Sequence, residues 1–175
     1  MKDLLAADHL ELDSVLDELL ASFEKRDAAE VYQKLDFFWA RLAMHIRAEN
    51  LHLFPSILKA AQSEEPNDLK ASPDFIRESI RQLENDHNFF MRELGGAMKQ
   101  MFEMRENDWQ NKHRKLDDLR EKITALGERL ERHNHLEESD VYTWAEALTP
   151  ADTAVLRTKI QNELENLPPR FRKSG

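Results

Sequence analysis

The chain has 175 residues, enough for one domain with a substantial buried core. Its formal net charge of −9 disfavours nucleic acid as a partner, and no apolar run approaches the roughly 20 residues that a membrane-spanning helix needs. There are no cysteines, which excludes disulfides, a thiolate nucleophile and thiolate-bound zinc or iron–sulfur clusters. Any metal site must therefore use histidine, aspartate and glutamate. Acidic residues close to the first residue argue against a secretory signal, so we expect a cytoplasmic protein.

Apolar residues recur at helical spacing along almost the whole chain, which predicts an all-α fold. Four breaks interrupt the pattern, at residues 24–30, 62–74, 105–113 and 148–150. The first break offers Asp27 as a helix N-cap, and the second ends in Ser72, another N-cap residue, followed by proline. We therefore predict an up-down-up-down four-helix bundle over residues 1–150, with a short extra helix and a frayed tail over residues 151–175.

Four of the seven histidines are expected at one height in such a bundle. Antiparallel helices joined by a turn bring two residues level when both are equally far from that turn, because each helix rises about 1.5 Å per residue. The midpoints of three residue pairs fall at residues 27, 110 and 68, each inside a predicted break. The pairs are His9 with His45, His87 with His133, and Glu49 with His87.

Two of these histidines are followed by a glutamate four residues later, on the same helix face. Four imidazoles and two carboxylates are too many ligands for one small ion, but they suit two ions. We predict that one ion lies between the histidines of the first two helices and the other between those of the last two, with both glutamates as bridges. The predicted metal ligands are His9, His45, Glu49, His87, His133 and Glu137.

The order of these residues resembles the hemerythrin-like (HHE cation-binding) family. The segment HIRAENLHLFP is similar to the family's H-x-x-x-E-x-x-x-L-F-P stretch, and HNHLEESDVYTWAEALTP is similar to its later H-x-x-x-E-E stretch. The resemblance covers roughly residues 5–150 and implies a non-haem di-iron centre. We expect an oxo or hydroxo bridge between the two iron ions, with manganese or zinc as substitutes. The expected partner is O2, peroxide or nitric oxide, whereas the sequence identifies no protein partner.

The chain departs from the oxygen carriers of this family at two positions. Those proteins carry a second histidine four residues after the one on helix three, where this chain has Met91, and they end with H-x-x-x-x-D instead of H-x-x-x-E. The resemblance therefore implies a sensor, a scavenger or an iron-centre repair protein, although repair proteins usually add a cysteine-bearing N-terminal segment. The alternative is a metal-stabilised interaction or iron-storage module without turnover. Whether the protein is an enzyme is left open.

Several neighbours of the motifs are open to more than one interpretation. Asp86 and Glu138 are either acceptors for imidazole N–H groups or solvated acids. Tyr142 and Trp144 are expected near an apolar pocket around the ions. The histidines expected outside the ligand set are His52, at its boundary, and His113 and His135.

Overall fold

The structure is a computed structural model that describes residues 2–63, 69–104 and 109–171. Within these ranges every regular element is helical, which confirms the predicted all-α fold. The α-helices are α1 (Lys2–Glu24), α2 (Ala28–Ala48), α3 (Phe54–Ala61), α4 (Pro73–Glu103), α5 (Trp109–Leu136), α6 (Tyr142–Glu146) and α7 (Pro150–Leu164). Two π-helical segments, Glu49–Leu53 and Glu137–Val141, join α2 to α3 and α5 to α6 without a break. A 3₁₀ turn, Pro169–Phe171, follows α7.

Side-chain caps explain three of the four predicted breaks. Asp27, Ser72 and Thr149 each accept a hydrogen bond from a backbone N–H group in the first turn of the helix that follows, at 2.9–3.3 Å. Such caps satisfy donors that have no partner within the helix, and each typically contributes about 1 kcal/mol. The remaining break lies partly outside the described residues, at 105–108, and α5 is already helical from Trp109.

The long helices pack in a ring around a shared core. Helix α1 contacts α2 and α5, and α4 contacts the same two helices. The up-down-up-down direction of these helices stays a prediction, as does a domain boundary at residue 150. Helix α7 packs on α2 and on the first π-helical segment. Among the helices that the structure describes, none is both long and apolar enough to cross a membrane.

Part of the segment predicted to be a frayed tail packs against α2. The guanidinium of Arg170 donates to the carboxylate of Asp36 at 2.7 and 2.9 Å. The ring of Phe171 meets that of Phe37 edge-on, with centroids 5.3 Å apart. Residues 172–175, the end of the predicted tail, lie outside the described residues.

A layer of polar side chains divides the apolar core into two clusters. Along each long helix, the predicted metal ligands lie between a residue of one cluster and a residue of the other. The flanking residues are Leu12, Leu42, Phe90 and Leu130 in one cluster and Leu5, Leu53, Leu83 and Val141 in the other. The four helices therefore bring the predicted ligands to the same height, between two apolar layers that exclude water.

Candidate metal centre

The six side chains predicted to bind metal converge in this polar layer, and each is between 0 and 3 % exposed. Their donor atoms form two overlapping groups of four, and within each group the atoms lie within 4.8 Å of one another. The groups are His9, His45, Glu49 and Glu137, and Glu49, His87, His133 and Glu137. Each group therefore contains two histidines, and both groups share the two glutamates.

The two histidines of each group face each other through their Nε2 atoms. These atoms are 3.1 Å apart between His9 and His45, and 3.0 Å apart between His87 and His133. Two donors at right angles around one ion are roughly 3 Å apart when each metal–ligand bond is about 2.1 Å long. The histidine pairs thus have the spacing of neighbouring ligands of one ion.

Both glutamates lie between the two histidine pairs. Oε2 of Glu49 is 3.3 Å from Nε2 of His45 and 3.4 Å from Nε2 of His87. Glu137 uses its two oxygens separately, because Oε1 is 3.1 Å from Nε2 of His133 and Oε2 is 3.4 Å from Nε2 of His9. Each carboxylate is therefore placed to bridge two ions.

The outer nitrogen of every imidazole in the layer meets a side-chain oxygen. The pairs of Nδ1 and oxygen are His9 with Glu138 at 2.8 Å, His45 with Asp8 at 2.8 Å, His87 with Asn50 at 2.9 Å and His133 with Asp86 at 3.4 Å. Since these oxygens accept hydrogen bonds, Nδ1 carries the hydrogen and the lone pair of Nε2 in the neutral ring points to the centre. Facing lone pairs repel unless a proton or a metal cation lies near them.

Three carboxylate oxygens at the centre have no hydrogen-bond partner among the described residues: Oε2 of Glu49 and both oxygens of Glu137. Leaving ionised oxygens buried without compensation is costly, and proteins normally pair such groups or use them to coordinate metals. Inward imidazole lone pairs and unsatisfied carboxylate oxygens are a donor set that fits a pair of cations.

The charges in the layer also shift the pKa values of its members. Burial by itself lowers the pKa of a histidine, but the carboxylates of Glu137 and Asp86 outweigh it and raise the pKa of His133 to about 9. Burial also lowers the pKa of His45, but the carboxylate of Glu49 outweighs this effect and holds the pKa well above its usual value. In the metal-free protein, protons on the imidazoles therefore offset the buried carboxylates, and a metal would displace them.

Two arginines form ion pairs with the aspartates that accept hydrogen bonds from the histidine rings. Arg41 donates to Asp8, and Nε of Arg129 donates to Asp86 at 2.9 Å. Each arginine lies four residues before the histidine whose ring its aspartate binds. Burial raises the pKa of Asp8, but the contacts with its histidine and arginine outweigh it and hold the pKa below its usual range. Both aspartates therefore stay ionised beside the centre.

The sequence placed two of the four acceptors and missed the other two. Asp86 and Glu138 do accept from imidazoles, whereas Asp8 and Asn50 were not predicted. The signal for the missing pair was that each stands next to a predicted ligand in the first half of the chain, as Asp86 and Glu138 do in the second half. His52 lies at the boundary, as expected, with Nε2 4.0 Å from the carboxylate of Glu163 on α7.

The remaining neighbours divide between the site and the core. The hydroxyl of Tyr142 donates to Oε1 of Glu49 at 2.9 Å. Trp144, which was also expected near the pocket, packs edge-on against Phe75. Met91, which stands where the oxygen carriers have a histidine, is half-buried against the apolar core. His135 is exposed on α5.

The fold and this layer define a helical bundle with a buried histidine–glutamate site of cation-binding character. Residues 1–145 match the Hemerythrin HHE cation binding domain, and this match covers most of the chain. The protein therefore belongs to the hemerythrin family, and the predicted resemblance is confirmed. No curated protein and no solved structure shows significant similarity to the chain.

Proposed function

We propose that the protein binds two iron ions in the polar layer, each held by two histidines and by both glutamates. The observation that carries the proposal is that two buried groups of four donors share Glu49 and Glu137. The cation-binding character of the family supports it. The two shared carboxylates offset part of the charge of the cations, which a bundle core could not otherwise accommodate. Manganese and zinc accept the same donors, so they can substitute for iron.

The same centre is proposed to bind or react with a small oxidant: O2, peroxide or nitric oxide. Bound iron would supply redox chemistry, and an octahedral ion with four protein donors keeps positions for an oxo or hydroxo bridge and for an exogenous ligand. The roles that follow are those of a sensor, a scavenger or an iron-centre repair protein. A cytoplasmic location and a small-molecule rather than nucleic-acid partner remain part of this proposal.

The test is to load the full chain with ferrous iron under anaerobic conditions and then to admit air. The proposal expects about two iron ions per chain and a near-ultraviolet or visible oxo-to-iron charge-transfer spectrum that changes when azide or peroxide is added. The matched control is His135→Ala, because this exposed histidine lies two residues from a predicted ligand on the same helix. Failure of the wild-type protein to bind iron would contradict the proposal.

A metal-stabilised interaction or storage module without turnover is the second candidate. It is favoured by the complete burial of the two shared glutamates, Glu49 and Glu137, since any exogenous ligand must first reach the layer. Such a module would bind metal stoichiometrically and lose much of its stability on chelation, with no spectral response to azide. The azide response therefore separates the two candidates.

A further inference from the structure

We propose that Tyr142 is a seventh protein ligand of the centre, and that its phenolic oxygen binds the ion held by His9 and His45. The inference deepens the proposed function and rests on it. It makes the two metal positions different, with five protein donors at one and four at the other.

The position of the phenolic oxygen carries the inference. Oη of Tyr142 is 2.9 Å from Nε2 of His9 and 2.9 Å from Oε1 of Glu49. These distances match the roughly 3 Å expected between neighbouring ligands of one ion. The side chain is fully buried, and its ring lies 5.6 Å from that of His9 between centroids. The oxygen therefore belongs to the same small volume as the donors of the first group.

The π-helical segments explain why a residue five positions after a glutamate reaches the layer. The backbone N–H of Tyr142 donates to the carbonyl of Glu137, five residues earlier, and Phe54 is bonded in the same way to Glu49. A π-helical turn widens the helix by one residue, and such turns are frequent at functional sites. Each glutamate is thus followed, one wide turn later, by an aromatic ring directed at the layer.

The second half of the centre, at His87 and His133, has a matching aromatic ring that lacks a phenolic oxygen. Phe54 occupies the place that corresponds to Tyr142, and its ring stacks on that of His87 with an interplanar angle of 6° and centroids 5.7 Å apart. The side-chain oxygens that accept from the four histidines follow the same internal two-fold relation. The two aromatic positions therefore have matching surroundings, and they differ in that one is phenylalanine and the other tyrosine. Only the position of His9 and His45 has a phenolic donor among the described residues.

Binding of the phenolic oxygen to the ion requires the phenol to lose its proton. Burial, together with the negative charges of Glu49 and Glu137, raises the pKa of Tyr142 well above its usual value, so the metal-free protein keeps the phenol neutral. On ligation the O–H bond breaks, its electron pair is shared with the ion, and the proton passes to solvent. A nearby cation reverses the electrostatic preference of the site, as metals do for other ligands that must lose a proton.

The test uses the fact that the chain has two tyrosines, Tyr142 and the partly exposed Tyr32. A phenolate bound to ferric iron gives a visible charge-transfer band, and laser excitation into that band enhances the ring vibrations of the tyrosinate. Iron-loaded, air-oxidised full-length protein is measured as wild type, as Tyr32→Phe and as Tyr142→Phe, with the iron content of each sample determined in parallel.

The expected result is a tyrosinate band in the wild type and in Tyr32→Phe, and its complete loss in Tyr142→Phe with iron still bound. The Tyr32→Phe spectrum is decisive even if Tyr142→Phe does not fold, because that variant retains Tyr142 alone. About two iron ions per chain with no tyrosinate band in Tyr32→Phe would overturn this inference and leave the proposed function intact. Failure of the wild type to bind iron would instead overturn the proposed function, and this inference with it.

Discussion

Asp8 precedes His9 in the sequence, yet its carboxylate binds a histidine of the neighbouring helix, with Oδ2 2.8 Å from Nδ1 of His45. Asp86, which precedes a ligand in the second half of the chain, likewise reaches across to His133, at 3.4 Å. Each pair ties two helices together through the ring of a predicted metal ligand. The orientation of that ring is therefore set by a helix other than its own.

Removing the charge of the shorter pair is expected to weaken metal binding. The carboxylate of Asp8 orients the ring of His45 and increases the basicity of its Nε2. The change Asp8→Asn removes this negative partner. Partners of this kind typically contribute about 10–100-fold in metal affinity, and we expect a loss in that range. The measurement is competition for metal with a chromophoric chelator. Asp13→Asn, an exposed change on the same helix, is the control, and equal affinities for both variants would contradict the role given to Asp8.

The two arginines are expected to differ in their contribution to stability. Arg41 is buried, and besides Asp8 its guanidinium holds the carbonyl oxygen of Leu164, at the end of α7, at 3.3 Å. Arg41→Met removes one partner of a buried ion pair, a change that commonly costs about 3–5 kcal/mol. The side chain of Arg129 is 39 % exposed, so Arg129→Met should cost about 1 kcal/mol or less.

Urea unfolding of the metal-free proteins measures this difference directly. Performing it without metal separates the stability of the helix packing from the contribution of the ions. Equal free energies of unfolding for the Arg41 and Arg129 variants would refute the link that Arg41 provides between α1, α2 and α7.

Metal binding at neutral pH is expected to release protons. The pKa of His133 is raised to about 9 and that of His45 is raised well above its usual value, so both rings are protonated in the metal-free protein at pH 7. Because a ligating imidazole must be neutral, metal binding should release at least these two protons per chain, and affinity should rise as the pH approaches 9. Anaerobic calorimetry with ferrous iron in two buffers of different ionisation enthalpy counts them. A binding enthalpy that is the same in both buffers would exclude this release.

The raised pKa of His133 also predicts the pH dependence of the metal-free fold. A proton held to about pH 9 in the folded protein, but only to about pH 6.5 in the unfolded chain, stabilises the fold below pH 6.5. That contribution is lost progressively as the pH rises from 6.5 to 9. The free energy of unfolding of chelator-treated protein should therefore fall over this interval, and a rise would count against the assignment.

The convergence of the six predicted ligands in one layer could be predicted from the sequence, because it depends on simple distances along helices. Residues equally far from a turn lie at the same height, and this rule alone brings His9 together with His45, and His87 together with His133. The Asp27 and Ser72 caps were equally readable, because N-caps have a local chemical signature. What depends on spacing and local hydrogen bonding is therefore accessible from the sequence.

The acceptors and the tyrosine were less accessible for a physical reason. Asp8 and Asn50 contact residues on other helices, and such contacts depend on side-chain directions that spacing does not fix. The π-helical turns add one residue after Glu49 and after Glu137. The side chains that follow each turn therefore lie on a different face of the helix than an unbroken α-helix would give them. An ordinary helical pattern therefore does not place Tyr142 on the same helix face as Glu137, directed into the polar layer.

The most direct test of the whole account is the number of iron ions per chain in the Glu49→Ala and Glu137→Ala variants. Because each carboxylate lies between both histidine pairs, removing either one takes a ligand from both ions. We predict about two ions per chain in the wild type and in the His135→Ala control, and a strong loss of iron in each glutamate variant. Two ions retained in both glutamate variants would contradict the account.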